Sequence, residues 1–579
     1  MKLLTRDAPP RAAWQLEQHG APPLLARLWA ARGVTNPADM DDALEQLLPP
    51  HTLLGLEAAA QLLAHAVQTQ RRVCVVADYD CDGATACAVA VRGLQLLGLS
   101  ADYLVPDRLV DGYGLTPGIA QRVADTGADI LMTVDNGIAS LDGVAHANAL
   151  GLQCVITDHH LPALVQGQVQ LPEAAAIVNP NQPNCGFASK ALAGVGVMFY
   201  VLLATRAALR AAGHFGNGEQ PRLDSLLPLV ALGTVADVVP LDSNNRRLVA
   251  QGLRRLQRGG APPGMLALLQ VAGKAASDVR TEDLGFVLGP RINAAGRLAD
   301  MRVGIACLLT QDASQAAAHA AELEAINRSR RSIEGDMRQQ AMELAQRAID
   351  QHPTGANPLP SALCIFDPSF HEGVVGIVAG RIKDHWHRPT FVFARNHQDP
   401  SGPMLKGSGR SVPGFHLRDA LDAVVKRHPN LLSRFGGHAM AAGCTLPEHA
   451  LPAFAQAFEQ IATEWLGPTP AERSLLTDGA LPADSLTVET ARQLRDAVWG
   501  QGFAAPVFCN EVAVLRQKLV GQGHTLLSVT LHNQRLDAIW FGHTDPLPAR
   551  VQLAYRLELD TWQGNERLRL RVEHASALQ

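Results

Sequence analysis

Three aspartates stand at alternate positions in one short segment, Asp78-Tyr79-Asp80-Cys81-Asp82-Gly83. Carboxylate oxygens this close together suit hard divalent cations such as Mg²⁺ and Mn²⁺. A calcium-binding EF-hand loop begins with the same pattern, but it needs a glutamate at its twelfth position, where this chain has Val89, and it follows a helix instead of an apolar, strand-like run. A solvated acidic turn remains the alternative for this segment taken alone.

Two further acids follow apolar runs of the same kind. The runs 73–77, 130–134 and 154–157 alternate with helical stretches, which indicates a parallel sheet covered by helices on both faces. An aspartate comes directly after each run: Asp78, Asp135 and Asp158. Because ligands bind at the carboxyl ends of the strands in such sheets, we expect these acids to meet at one edge.

Two histidines and a fourth isolated acid complete this pattern. His159 and His160 follow the third strand, although either one alone could be a structural histidine. Asp237 is the one acid in the apolar stretch 233–240, where a buried carboxylate is costly unless it is paired or bound to metal, and we expect it at another strand end. Such a set fits a hydrolytic centre with two cations roughly 3.5–4 Å apart.

With these motifs the sequence resembles the DHH phosphoesterase superfamily, and within it the single-stranded-DNA-specific exonucleases of bacteria. Seven motifs appear in order: DYDCDG at 78–83, VDNG at 134–137, DHH at 158–160, GTVADVVPL at 233–241, FHEGVVGIVAGRI at 370–382, GSGRS at 407–411 and GGHAMAAG at 436–443. The resemblance covers nearly the whole chain.

The resemblance implies a role for each residue of the predicted centre. It implies that the metal ligands are Asp80, Asp82, Asp135, His159 and Asp237. Asp135 would bridge two divalent cations, Mn²⁺ or Mg²⁺, and Asp78 would be either a direct ligand or a support behind the ligands. His160 would contact the scissile phosphate, and Asp158 would orient a neighbouring histidine.

A second group of residues is implied to grip the substrate. The glycines of GSGRS allow a phosphate to approach the backbone, where Arg410 can bind it through two hydrogen bonds and Ser408 and Ser411 can donate. His438, Arg108, Arg291 and Arg297 are similar to further strand-binding residues of the family. A flexible loop is the alternative for GSGRS, and a surface salt bridge is the alternative for each arginine taken singly.

Composition narrows the class of protein further. The net charge of −5 excludes a protein that is basic throughout, but 381–440 holds ten Lys and Arg against four Asp and Glu, which would attract an anionic ligand. Nine cysteines without a CxxC pair indicate reduced thiols and a cytoplasmic location. We found no run of about 18 apolar residues that would cross a membrane.

The predicted fold class is α/β with a terminal barrel, in five parts. These are an N-terminal helical lead (1–50), a DHH parallel-sheet catalytic domain (51–311), a long connecting helix (312–352), a second α/β, DHH-associated, substrate-binding domain (353–465) and an OB-like β-barrel (466–579). The helix is predicted from apolar residues spaced mostly three, four and seven apart, which are Leu323, Ile326, Ile333, Met337, Leu344 and Ala348. The barrel is predicted from short alternating strands at 526–531, 535–541 and 567–572. In the barrel, Trp540 and Phe541 are neighbours on one strand, so only one of them can face a groove.

The function implied by the resemblance is 5′→3′ exonuclease activity on single-stranded DNA, releasing mononucleotides in repair and recombination. Analogy further implies a monomer that works with a RecQ-type helicase and a single-strand-binding protein. Two alternatives are a phosphodiesterase or pyrophosphatase for small substrates and a non-catalytic replication scaffold. The chain's length and terminal barrel disfavour the first, and its full set of ligands disfavours the second.

Overall fold

The structure is a computed structural model in which the chain divides into two compact units. One unit holds residues 3–324 and 476–579, and the other holds residues 325–475 together with the first two residues. The residues that the structure describes are 1–107, 111–165, 167–351, 359–396, 403–467, 473–521, 523–562 and 565–578.

A parallel sheet forms the centre of the first unit, as predicted. Its strands, in spatial order, are Ala101–Leu104, Val73–Ala77, Ile130–Val134, Gln153–Thr157 and Ala176–Val178. Two of them, Val73–Ala77 and Ile130–Val134, are buried along their whole length. The chain runs to one side of Val73–Ala77 first and to the other side afterwards, so the topological switch point lies between these two buried strands.

Most of the remaining chain of the first unit, up to the long helix, is helical. The chain begins with the strand Lys2–Thr5 and the helices Pro10–Gln18 and Pro23–Ala30, which place a proline at the first helical position, where no amide hydrogen is needed. The later α-helices longer than one turn are Leu56–Thr69, Cys81–Leu96, Pro117–Asp125, Leu141–Ala149, Gly194–Ala211, Leu227–Ala236, Ser243–Gln257, Pro263–Val271, Gly289–Leu298 and Met301–Leu309. A π-helical turn, Leu284–Leu288, precedes the helix Gly289–Leu298.

One continuous helix, Ala313–Asp350, confirms the predicted long helix. Leu323 packs in the core of the first unit, and Met337, Ala341, Ala345 and Ile349 pack in a core of the second. The prediction of a buried apolar stripe along this helix is therefore correct except at its C-terminal end. There, Ala348 is exposed and Ile349 is the buried residue.

The second unit contains a mixed sheet with helices against it. The strand order is Arg434–Gly437, Ala441–Pro447, Met404–Arg410, Thr390–Asn396 and Leu363–Phe366. The helices are Val375–Trp386, Leu417–Arg427 and Leu451–Leu466. Phenylalanines fill the core: Phe391, Phe454 and Phe458 are buried and their rings are in mutual contact. This unit confirms the predicted second α/β domain.

A closed barrel ends the chain, as predicted. Its strands, in spatial order, are Phe508–Val520, His524–Leu531, Gln534–Trp540, Asn565–Ala577 and Arg550–Trp562. Three of these strands were predicted from sequence; the long strands Phe508–Val520 and Arg550–Trp562 were not. Leu527, Val529, Ala538, Leu553 and Leu570 are among the residues of its core.

Within the described residues, one helix is long and apolar enough to cross a membrane, although none was predicted. This helix, Gly194–Ala211, is 61% buried inside the fold. Length and composition are weak evidence for a membrane span, since a core helix meets the same criteria, and its N-terminus contacts the candidate metal centre.

Candidate metal centre

The predicted acids meet at the switch point of the parallel sheet. Asp78 follows Val73–Ala77 and Asp135 follows Ile130–Val134, the two strands between which the strand order reverses. Ligand atoms of Asp78, Asp80 and Asp135 all lie within 4.8 Å of one another. The carboxyl ends of neighbouring parallel strands therefore bring these acids together, as the sequence predicted.

The next two acids are held at the start of the helix Cys81–Leu96. Asp80 is its N-cap and accepts a hydrogen bond from the amide of Gly83 at 2.9 Å. Asp82, in the first turn, is buried and accepts from the amides of Gly194 at 2.7 Å and Val195 at 3.0 Å. A carboxylate bound by two amides at a helix N-terminus is fixed in direction, which preorganises Asp82 toward the centre.

His159 brings the two groups of acids together. Its Nε2 lies 3.2 Å from Asp135 Oδ1, 3.4 Å from Asp237 Oδ2 and 4.0 Å from Asp82 Oδ2. Asp135 Oδ1 and His159 Nε2 are both buried, and neither has a hydrogen-bond partner among the residues that the structure describes. Two unpartnered buried atoms that face each other are the arrangement expected of ligands for a shared cation.

Asp158 orients His160, not His159. Its Oδ1 accepts hydrogen bonds from His160 Nδ1 at 2.8 Å and from both histidine amides, and its Oδ2 accepts from the amide of Ile138 at 2.9 Å. Burial opposes ionisation of Asp158, but these hydrogen bonds outweigh it and lower its pKa. The predicted orienting role therefore agrees with this geometry, and it acts on the histidine that is predicted to contact phosphate.

The two histidines have opposite charge preferences. Burial and the neighbouring His160 lower the pKa of His159 to about 4, so its ring is neutral, as a metal ligand must be. Burial would also lower the pKa of His160, but the hydrogen bond to Asp158 and the charges of Asp158, Asp78 and Asp237 raise it to about 9. At neutral pH, His160 is therefore a cation, which suits a phosphate contact.

Asp237 reaches the centre from a helix, so its predicted place at a strand end was wrong. It follows the helix Leu227–Ala236, which is apolar on all sides because it is buried, and a short apolar run does not distinguish a buried strand from a buried helix. The next residue, Val238, has φ +63° although 61% of it is exposed, and Asp135 has φ +62°. Backbone strain of about 1–3 kcal/mol at such a position is typical of functional sites.

Clustering of the acids is unfavourable unless a cation is present. Burial, followed by repulsion from Asp80, raises the pKa of Asp78 to about 8 and that of Asp82 to about 7. Burial and the other carboxylates raise the pKa of Asp135 and of Asp237 well above the ordinary value. Oxygen ligands with one neutral imidazole suit Mg²⁺ and Mn²⁺, so the residues present fit the implied divalent cations.

Two residues at this centre were not predicted from the sequence. The Tyr113 hydroxyl lies 3.3 Å from His160 Nε2, and the Tyr113 ring makes an edge contact with Tyr79. Asn293 accepts a hydrogen bond from the amide of Cys81 at 2.7 Å. The GYG sequence at 112–114 could have indicated a tight turn presenting a tyrosine, but its contact with His160 depends on tertiary packing.

The arginines predicted to bind substrate differ in their surroundings. Arg291 is buried, with Nε 2.7 Å from Glu324 and Nη1 donating to the Val287 carbonyl at 2.6 Å. Arg297 is half-buried on the same helix, next to Gly296, where a Cβ would lie 2.0 Å from the Tyr79 carbonyl oxygen. Arg108 lies outside the described residues.

In the second unit, Arg410 and Ser408 lie beside the N-terminus of a helix. A Cβ on Gly376, in the first turn of Val375–Trp386, would lie 2.9 Å from both Arg410 Nη2 and Ser408 Oγ. A guanidinium, a hydroxyl and a helix N-terminus together suit an anion.

Two more predicted substrate residues lie in the same unit. Ser411 is buried and donates to the Phe415 carbonyl at 2.6 Å, so its hydroxyl closes a turn, and donation to a phosphate stays a prediction. His438 is exposed in the turn between Arg434–Gly437 and Ala441–Pro447.

Three family models match successive parts of the chain. They are the DHH family, N-terminal domain, at residues 72–234, the DHHA1 domain at 360–464 and the RecJ OB domain at 477–574. Together with the acids at the switch point, they define a metal-dependent phosphoesterase of the DHH class.

The curated relatives reported for this chain carry one name, the single-stranded-DNA-specific exonuclease RecJ. The chain is 45% identical to the single-stranded-DNA-specific exonuclease RecJ of Escherichia coli over 96% of both chains, and 44% identical to that of Salmonella typhimurium over 95% of both. The chain belongs to the RecJ family of single-stranded-DNA-specific exonucleases.

Solved structures of the family are similar in fold. RecJ from Thermus thermophilus in complex with Mn²⁺ has a TM-score of 0.79 and 29% identity, covering 100% of this chain and 79% of that one. The same protein in complex with Mg²⁺ has a TM-score of 0.76 and 28% identity, covering 100% of this chain and 78% of that one. The metals in these relatives are those for which the oxygen-rich ligand set here is suited.

Proposed function

We propose that this protein is an exonuclease that degrades single-stranded DNA from its 5′ end and releases mononucleotides in DNA repair and recombination. One observation carries the proposal. A buried centre of unpartnered carboxylate and imidazole atoms lies at the switch point of a chain that matches single-stranded-DNA-specific exonucleases over 95–96% of its length. We propose Asp80, Asp82, Asp135, His159 and Asp237 as the ligands, with Asp78 beside them.

Two divalent cations bound there would polarise the phosphodiester and supply a water of lowered pKa as nucleophile. The chain's own residues hold and orient the reacting groups. His160 donates Nδ1–H to Asp158, which keeps the ring charged and directs Nε2 away from Asp158. With a third of its side chain exposed, His160 can donate from Nε2 to a phosphate oxygen.

The DNA strand is proposed to be held by basic and aromatic groups. Arg108, Arg291, Arg297, Ser408, Arg410, Ser411 and His438 are the proposed substrate-binding residues. Trp540 ends the strand Gln534–Trp540 and Phe541 begins the turn after it, so the prediction that both lie on one strand was wrong. Phe541 is 54% exposed, whereas Trp540 is half-buried and stacked on His543, with ring centroids 3.5 Å apart. Phe541 is therefore the better candidate for stacking on a base, a contact that is independent of sequence.

The direct test is digestion of DNA labelled at one end. We expect a 5′-labelled single strand to release labelled mononucleotide from the start of the reaction with Mn²⁺ or Mg²⁺, while a 3′-labelled strand shortens stepwise. A blunt duplex should resist. Early release of the 3′ label would reverse the proposed polarity. Hydrolysis of dinucleotides with no digestion of long strands would instead favour a phosphodiesterase for small substrates.

Arg410→Lys is expected to raise KM for a 5′-phosphorylated strand about tenfold or more, with a smaller change in kcat. Lysine keeps the charge but cannot form two parallel hydrogen bonds to a phosphate, and bonds to charged groups contribute about 1.5–3 kcal/mol. Steady-state kinetics on a short labelled strand measures both parameters.

Arg427→Lys is the matched control for Arg410→Lys. It lies in the same unit, on the helix Leu417–Arg427, and binds Glu464 at the surface, so its kinetics should equal the wild type. Equal KM values for Arg410→Lys and Arg427→Lys would show that Arg410 does not bind the substrate.

The partners and location remain proposals by analogy. We propose that the protein acts as a monomer in the cytoplasm, on strands opened by a RecQ-type helicase and coated by a single-strand-binding protein. A nicked duplex supplies a test, since the protein alone should leave it intact and added helicase and ATP should allow digestion. Digestion that is equally fast without helicase would contradict this dependence.

A further inference from the structure

The candidate ligand Asp237 begins a short connection between two helices. This connection, 237–242, runs from the end of Leu227–Ala236 to Asp242, the N-cap of Ser243–Gln257. Val238 is left-handed within it, at φ +63°, and is largely exposed. The Val238 side chain is little packed, and its amide donates to the Val235 carbonyl at a long 3.3 Å, so contacts at the far end of the connection can contribute to its backbone conformation.

The far end is held by a turn that leads into the barrel, Trp499-Gly500-Gln501-Gly502-Phe503, here called the barrel turn. The Gln501 carbonyl accepts a hydrogen bond from the Leu241 amide at 2.7 Å. Gly500 and Phe503 close the turn with mutual backbone hydrogen bonds of 2.9 and 3.1 Å. The barrel turn therefore binds the backbone of the connection four residues beyond Asp237.

Two glycines allow this close approach. A Cβ on Gly500 would lie 2.6 Å from Leu241 Cδ1, and a Cβ on Gly502 would lie 3.3 Å from Pro240 Cβ. Gly502 also has φ +70°, a conformation that L side chains rarely adopt. A side chain at either position would displace the barrel turn from Pro240 and Leu241.

The two aromatic rings of the barrel turn, Trp499 and Phe503, also contact the helix that follows the connection. Phe503 is buried and stacks on Trp499, with ring centroids 5.4 Å apart, and the Arg246 guanidinium lies 4.2 Å from the Phe503 ring. Arg246 Nη1 also donates to the Leu241 carbonyl at 3.0 Å. Leu241 is therefore held at its amide by Gln501 and at its carbonyl by a cation that packs on the same turn.

We propose that the barrel turn positions the Asp237 carboxylate in the metal centre, so that the barrel supports catalysis through the protein as well as by any contact with DNA. By holding Leu241, the barrel turn maintains the left-handed conformation at Val238 and thereby the direction of Asp237. The inference rests on the proposed role of Asp237 as a metal ligand. Gly500, Gly502 and Phe503 are positioning residues in this scheme.

Gly502→Ala tests the inference by metal dependence. We expect the Mn²⁺ concentration for the half-maximal rise in Tm, measured without DNA, to increase about tenfold, the size of effect seen when a residue supporting a metal ligand is lost. The Mn²⁺ concentration for half-maximal activity should increase by the same factor. KM for a single strand at saturating Mn²⁺ should not change, and excess Mn²⁺ should restore much of the rate. A trinucleotide substrate should show the same Mn²⁺ shift as a long strand, because the effect does not pass through DNA bound at the barrel.

Gly259→Ala is the matched control, since Gly259 has φ +77° in the same unit but a Cβ there would contact nothing within 4 Å. Its Mn²⁺ dependence should equal that of the wild type. If Gly502→Ala does not fold, Gly500→Ala takes its place, because the added Cβ would press against a Leu241 methyl group, which is the end of a flexible side chain. An unchanged Mn²⁺ dependence in the folded variant, or a rise in KM for DNA alone, would overturn the inference. If Asp237→Asn were fully active, the ligand assignment itself would fail, which separates the two results.

Discussion

Asp135→Asn is expected to lower the rate of single-strand digestion by at least about a thousandfold. Asp135 Oδ1 is buried 3.2 Å from His159 Nε2 with no hydrogen-bond partner among the described residues, which suits the proposed role of Asp135 as a metal ligand. Losing it removes several kcal/mol of charge stabilisation from the transition state, and each 1.36 kcal/mol changes the rate about tenfold. Single-turnover kinetics on a 5′-labelled strand measures the loss.

The same substitution should leave the metal-free protein at least as stable as the wild type. Burial and nearby carboxylates raise the pKa of Asp135 well above its unfolded value, so its ionisation costs stability progressively as the pH rises from that unfolded value. Asparagine removes the charge, and it tolerates φ +62° well. Thermal unfolding with chelator at neutral pH should therefore show an unchanged or higher Tm.

Asp102→Asn serves as the control for this experiment. Asp102 is exposed on the neighbouring strand Ala101–Leu104, in register with Cys74 and away from the carboxyl end of the sheet. Its digestion rate should be that of the wild type. Substantial activity in Asp135→Asn would show that the metal centre lies elsewhere, and a large fall in its metal-free Tm would show that Asp135 is structural.

Removing divalent cations is expected to stop digestion completely and to lower the Tm of the unit that contains the centre. Without cations, burial and mutual repulsion disfavour the ionised forms of Asp78, Asp82, Asp135 and Asp237 and raise their pKa values. Bound cations would relieve this repulsion. A ligand at a hundred times its Kd stabilises the folded state by about 2.7 kcal/mol. Differential scanning calorimetry with chelator, and then with Mn²⁺ or Mg²⁺ in excess, measures the change.

Specific binding is distinguished from a general salt effect by comparing variants. Asp135→Asn should lose most of the Mn²⁺-dependent rise in Tm, and Asp102→Asn should retain all of it. Equal rises in both variants would assign the effect to ions bound elsewhere. Digestion that continues in chelator would contradict a metal-dependent mechanism outright.

The parallel sheet and its edge could be predicted because their signals are local. A buried strand between helices is apolar along its length, and an acid directly after it must lie at the carboxyl edge, so the sequence alone is enough to place Asp78, Asp135 and Asp158 there. This reasoning was wrong for Asp237, because the mostly apolar and largely buried segment Leu227–Ala236 forms a helix instead of a strand. Two barrel strands with many charged and polar residues, Phe508–Val520 and Arg550–Trp562, also escaped prediction.

The acidic loop at 78–83 shows where local information ends. Residue types and spacing by themselves indicated hard cations, because carboxylates at alternate positions suit them, and the further acids and His159 at neighbouring motifs strengthened this prediction over a solvated acidic turn. Tertiary structure alone decided that the amides of Gly194 and Val195 fix Asp82, that Asp158 holds His160 instead of His159, and that Tyr113 reaches His160. Tyr113 and His160 are 47 positions apart in the sequence, and Asp82 and Gly194 are 112 positions apart. The geometry of these contacts is set by how the helices pack on the sheet, which no local sequence pattern encodes.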